Sequence, residues 1–152
     1  MSPRLLRWGM NLWPPYLGAG IHVRSIAPDW SEAVVELRAR WLNRNYVGSH
    51  FGGSLFAMTD PFFALLLMHR LGSRYLVWDR AARIEFVAPG HGTVRARFPL
   101  PEERVAAIRA DAAAGAKVLP EFEVEIRDRA GELVASVHKT LYVRLKPRYR
   151  PA

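Results

Sequence analysis

The chain has no cysteine among its 152 residues. Disulfide scaffolds, thiolate nucleophiles and cysteine-ligated metal sites are therefore excluded, and the composition fits a reducing cytoplasm. Negative charge is also scarce: 14 Asp and Glu stand against 22 Lys and Arg, a formal charge of +8. The excess would suit an anionic partner. It is scattered, however, largely as arginine on alternating positions, and the one tight basic run is Arg144, Lys146, Arg148 and Arg150 at the end. A solvated basic surface is the plainer reading, and no nucleic-acid partner is expected. No secretory leader is expected, because Asn11, Pro14 and Pro15 interrupt the apolar start. Several chemical signatures are missing too. There is no phosphate-binding glycine loop, no dinucleotide fingerprint and no Gly-x-Ser-x-Gly elbow. The histidines lack ligand-type partners at helical spacing, so neither a metal site nor a resident cofactor is expected.

One apolar run stands out, residues 51–68, and it approaches membrane-spanning length. Thr59, Asp60, Pro61 and two glycines interrupt it, which argues for a buried core helix rather than a membrane span. This helix is expected to run from about Gly52 to Leu71, with Gly72 as its stop. Asp60 is its only carboxylate, and a lone acid in such a segment needs a partner, a raised pKa or a chemical role. Arg70 and Arg83 are candidate partners, and a neighbouring backbone group that it could cap is a further one. The next residue, Pro61, removes a helix hydrogen bond and predicts a kink beside the acid.

Around this helix the pattern is mainly strand. A short amphipathic helix over 4–13 is ended by Pro14 and Pro15. A strand is expected near Ile21–Ala27 and another over Ala33–Trp41, with Val35, Leu37, Ala39 and Trp41 on one face. Further strands are expected at Arg83–Ala88, Thr93–Leu100 and Phe122–Ile126. A last long one alternates Leu133, Ala135, Val137, Lys139, Leu141, Val143 and Leu145. A helix is placed at Glu102–Ala114. The sum is one α+β domain spanning residues 1–152, an antiparallel sheet of five to six strands wrapped around a long central helix.

Glycine and acid are spaced informatively. Gly52 and Gly53 sit where loop becomes helix, where unpaired N–H groups and the helix dipole can polarise a carbonyl. Asp60 follows Gly53 by seven residues, on nearly the same face but roughly 10 Å along the axis. If both act on one substrate, they come from two chains. Two antiparallel copies of the helix would meet that need, so the spacing predicts a homodimer with shared sites.

These residues resemble the thioesterase superfamily of the hotdog fold. Asn45, Gly48, Gly52-Gly53 and Asp60 are similar in spacing to its phenylacetyl-CoA-thioesterase-like branch. A less characterised, thioesterase-like branch is more similar still, through Asn11, Pro14, Pro15 and Tyr16, the Asp60-Pro61-Phe62-Phe63 run and Trp78-Asp79. The resemblance covers nearly the whole chain. It implies the hotdog fold, a homodimer that can pair into a dimer of dimers, and hydrolysis of an acyl-CoA or related thioester, with coenzyme A entering only as part of the substrate. Asp60 would be the general base or nucleophile, its pKa raised by Phe56, Phe62 and Phe63. Asn45 would orient substrate or water, or else serve the loop as a turn residue. Arg44, Arg80 and Arg83 would meet the coenzyme's phosphates.

Two departures bear on chemistry. The branch has His immediately before the glycine pair. Here Phe51 holds that place and His50 stands one earlier, a position that suits a surface or dimer contact better than catalysis. Relatives also carry Ser or Thr near the start of the following strand, where this chain offers Trp78, Asp79 and Arg80. Asp79 is either a substitute second carboxylate or a salt-bridge partner of Arg80 or Arg83. A binding protein that kept the pocket and lost turnover is the alternative to an esterase.

Overall fold

The structure, a computed structural model, describes residues 1–151. Helix α1 (Pro3–Leu12) is capped by the Ser2 hydroxyl and followed by a second short helix, α2 (Pro14–Ala19). The two prolines, read from sequence as a stop, instead open α2. Proline has no N–H to leave unpaired in a first turn and its φ is already helical. Gly20, at φ 79°, then turns the chain into strand β1 (Ile21–Ile26). The Asn11 side chain ties α1 to this strand through both Val23 backbone groups, at 2.7 and 3.0 Å.

Strand β2 (Glu32–Arg38) pairs with β1. Ala33, Val35 and Leu37 are wholly buried on its inner face. The expected extension through Ala39 to Trp41 fails: the strand ends at Arg38 and Trp41 is 83% exposed. After the 39–51 loop come α3 (Gly52–Ala57) and α4 (Phe62–Leu71). Together they form the long central helix, interrupted at 58–61 as Pro61 predicts. Phe62 and Phe63 pack into the core against Phe98 and Phe122.

Strand β3 (Tyr75–Phe86) starts well before the expected Arg83 and so contains Trp78 and Asp79. It is followed by β4 (Thr93–Pro99), α5 (Glu102–Ala112), β5 (Glu121–Arg127) and β6 (Leu133–Leu145). The six strands form one antiparallel sheet in the order β1-β2-β4-β5-β6-β3. Its inner face buries Val35, Leu37, Val94, Ala96, Val124, Val137 and Leu141 around α3 and α4. Strands β1 and β3 are its edges. Among the described residues no helix is long and apolar enough to cross a membrane.

Candidate active site

The break between α3 and α4 is the chemically distinctive place in the fold. Pro61 cannot donate a backbone hydrogen bond, and the carbonyls of Thr59 and Asp60 are turned out of the helical ladder. They are met by the ammonium of Lys139. This side chain stands on the apolar inner face of β6 and is 1% exposed. Its Nζ donates to the Asp60 carbonyl and lies 3.5 Å from that of Thr59. It also lies 2.9 Å from Asp79 Oδ1 and 3.6 Å from Asp60 Oδ1. A buried ammonium is tolerated only when paired and hydrogen-bonded, and here two carboxylates and two carbonyls share it.

Register explains how Asp79 joins this group. It pairs with Leu141, an inward residue, while Ala82 pairs with inward Lys139; the strand bulges between Asp79 and Ala81. The bulge at Arg80 adds a residue and keeps Asp79 on the lysine's side of the sheet. Burial raises the pKa of Asp79; the hydrogen bond and charge of Lys139 pull it back, and the Asp60 charge adds to the rise. The partner of Asp79 is thus Lys139, rather than Arg80 or the exposed Arg83, which pairs with Glu85.

Two expectations about Asp60 change. Its side chain is 73% exposed and its ionic neighbour is Lys139, not Arg70 or Arg83. Arg70 is occupied by Glu102 and the Leu100 carbonyl. Nor do Phe62 and Phe63 enclose the carboxylate, since they point into the core. Only Phe56 shares its cavity.

That cavity, about 330 Å³, runs along the outward face of α3. Gly53, Phe56, Ala57 and Asp60 form its floor, at helical spacing. Trp13, Pro15 and Tyr16 from the α1–α2 corner form a wall, completed by Ile21 and Pro61. A Cβ at Gly53 would lie 2.4 Å from the exposed Phe51 ring, which would have to swing aside. The N–H groups of Gly52 and Gly53 find no acceptor among the described residues, and no side chain caps α3.

Asn45 and His50 lie elsewhere, with Gly52, along a second cavity of about 330 Å³ against the 86–90 segment. Asn45 is engaged by its own loop. Its amide donates to Ser49 Oγ at 2.8 Å and to the His50 carbonyl at 3.2 Å, and its Oδ1 accepts from the Val47 and Ser49 N–H groups. His50, expected at the surface or a dimer contact, is 3% exposed. Its Nε2 lies 3.1 Å from the Gly92 carbonyl, and its Nδ1 has no partner among the described residues. Burial holds its pKa below the ordinary value; the Gly92 contact opposes this, and His91 and Arg44 reinforce it. One chain therefore brings together Gly53, Asp60 and, through Lys139, Asp79. It does not bring Asn45 or His50 to the acid.

Lys139 belongs to none of the motifs legible in the sequence. Its signal was visible, as the one charged residue in an otherwise apolar alternation on β6. A larger groove of about 840 Å³ lies on the outer sheet face, among Arg95, Arg97, Arg127, Glu123 and Glu125. Its charges largely pair off, as in Arg97–Glu32 and Arg127–Glu125, and it has no link to Asp60.

A six-stranded antiparallel sheet curled around an interrupted central helix is the hotdog fold, and solved structures bear this out. PA5026 of Pseudomonas aeruginosa, a protein of unknown function described as a probable thioesterase, superposes with a TM-score of 0.86 at 20% identity, over 96% of this chain and 97% of that one. The thioesterase HI1161 of Haemophilus influenzae superposes at 0.68 and 15% identity, over 95% and 92%. The PaaI protein of the E. coli phenylacetic acid degradation operon does so at 0.60 and 18%, over 95% and 97%. Residues 3–143 match a domain of unknown function, DUF4442, and the chain belongs to that family. Among curated proteins none matches it.

Proposed function

We propose that the protein hydrolyses acyl thioesters, with an acyl-CoA as the substrate class and Asp60 as the general base. The observation that carries this reading is the exposed Asp60 carboxylate at the helix break, on the lining of a largely apolar cavity and anchored at its own carbonyl by Lys139. Asp60 takes a proton from water as the water oxygen adds to the thioester carbon. The carbonyl oxygen gains charge, and free N–H groups of Gly52 and Gly53 offset it. The C–S bond then breaks, and the leaving thiolate takes its proton from Asp60. No metal or resident cofactor takes part. HI1161, a thioesterase of the same fold, supports the reaction class.

The working site belongs to a homodimer. Within one chain Asn45 and Gly52 line one cavity and Asp60 another, so a second copy is needed to join them. Strand β3 is an uncovered edge of 12 residues. The nearby side chains of Phe51, Phe86 and Val87 are 58%, 58% and 59% exposed, an apolar surface that suits a twin. A reducing, cytoplasmic setting agrees with the missing cysteines.

The test is thiol release from acetyl-, hexanoyl- and benzoyl-CoA. Because the chain has no thiol of its own, a thiol reagent reads the product directly. Asp60→Asn is expected to cost about 10²-fold or more in kcat while the dimer persists. Undiminished turnover by this variant would remove Asp60 from the role. Saturable binding without thiol release by the wild type would instead favour a binding module, which Phe51 in the histidine's usual place also favours.

A further inference from the structure

Tyr16 lines the Asp60 cavity beside the half-exposed indole of Trp13. It is 3% exposed, and its hydroxyl has no hydrogen-bond partner among the described residues. A buried hydroxyl without a partner is unfavourable, and everything else about its position is well determined. Pro14 and Pro15 open α2, the Trp13 ring packs at 5.2 Å from the Tyr16 ring, and Gly20 ends the helix in a left-handed turn. The α1–α2 corner thus holds a phenol in the wall of the cavity with no hydrogen-bond partner among the described residues. Burial, and then the Asp60 carboxylate, push its pKa above the ordinary phenol range. The hydroxyl is therefore a protonated O–H donor at neutral pH.

We infer that the Tyr16 hydroxyl donates a hydrogen bond to the carbonyl oxygen of the bound acyl thioester, beside Asp60 of the same chain. This rests on the proposed function and adds a residue to it. A carbonyl reaching the Asp60 carboxylate enters a cavity whose walls are apolar at Pro15, Ile21 and Phe56. Of the side chains that line it, Trp13 and Tyr16 carry donors, and the Tyr16 hydroxyl is the buried one, close enough to feel the Asp60 charge. As charge grows on the carbonyl oxygen the hydrogen bond strengthens, so the contact acts on kcat more than on KM.

Tyr16→Phe tests this cleanly, since it removes an oxygen that bonds nothing among the described residues. Three readouts are taken on wild type and variant: thiol release from acetyl-, hexanoyl- and benzoyl-CoA, melting temperature, and calorimetric affinity for paired analogues of those substrates. One analogue of each pair is a ketone that keeps the carbonyl and replaces sulfur by carbon; the other is a thioether that lacks the carbonyl. The variant is expected to lose about tenfold or more in kcat, to melt no lower than wild type, and to lose the wild type's preference for ketone over thioether. Turnover within about twofold of wild type together with an unchanged ketone preference would overturn the inference and leave the hydrolase standing. A wild type that turns nothing over, yet shows a ketone preference dependent on Tyr16, would overturn the hydrolase and uphold the donor. A wild type that binds no ketone analogue would overturn both.

Discussion

Lys139 Nζ lies 2.9 Å from Asp79 Oδ1 beneath the break in the central helix. Each needs the other: the ammonium is wholly enclosed, and the carboxylate is partly so. The same ammonium holds the Asp60 carbonyl, so one side chain sets both the strand and the helix that present the two acids.

Lys139→Met should therefore be strongly destabilising. It leaves Asp79 without its ion-pair partner and two backbone carbonyls without their donor, and breaking a buried pair from one side costs about 3–5 kcal/mol. Urea unfolding measures this. Combining it with Asp79→Asn should recover part of the loss, so that the double variant is more stable than the two single losses summed would give.

Glu36 predicts acid sensitivity. It is buried on the outer sheet face among Arg24, Arg38 and Arg95, at 2.9 to 3.1 Å. Burial alone would raise its pKa; hydrogen bonds from Arg38 and Arg95 and the arginine charges outweigh it and bring the value from 4.5 to about 2. A depressed carboxylate stabilises the fold fully above its unfolded value, and the contribution is lost as pH falls from about 4.5 toward about 2. Glu36→Gln should be less stable than wild type at neutral pH, and the gap in urea midpoint should narrow through that window.

His50 works in the same direction nearer neutrality. Its depressed pKa means that the folded state binds fewer protons than the unfolded state below 6.5. Stability is lost as pH falls through and below that value. In His50→Gln the loss of stability between about pH 7.5 and about pH 5 should be smaller than in wild type. An unchanged slope would show that His50 does not titrate on unfolding.

The oligomer gives a fourth expectation. Sedimentation equilibrium should return at least twice the 17.2 kDa chain mass. Arg83→Pro, within the free edge β3, should shift the population toward monomer while thiol release falls in step. A monomer with full activity would contradict the shared site.

Strict alternation makes most of the sheet legible in the sequence, as on β6, where every second residue from Leu133 is apolar except Lys139. The first half of β3 was not readable. Its bulge at Arg80 breaks the period of two, and Trp78-Asp79-Arg80 carries no simple alternation. Helix α2 was hidden because a proline pair is compatible with either a stop or a start. The spacing of Gly53 and Asp60 placed them on one helical face, and they do share a cavity. The partners of Asn45, His50 and Asp79 depend on loop closure and strand register, which local sequence does not encode.

The anchor of Asp60 is held in place by the register of a strand far from it in sequence. Because side chains alternate, sliding β6 by one residue would carry Lys139 to the solvent face and bring Thr140 or His138 inward. A one-residue insertion or deletion in the 128–132 turn, harmless in most surface loops, would there invert the polarity beneath the helix break. In this protein a charge buried on the inner side of the sheet constrains the length of a short exposed turn.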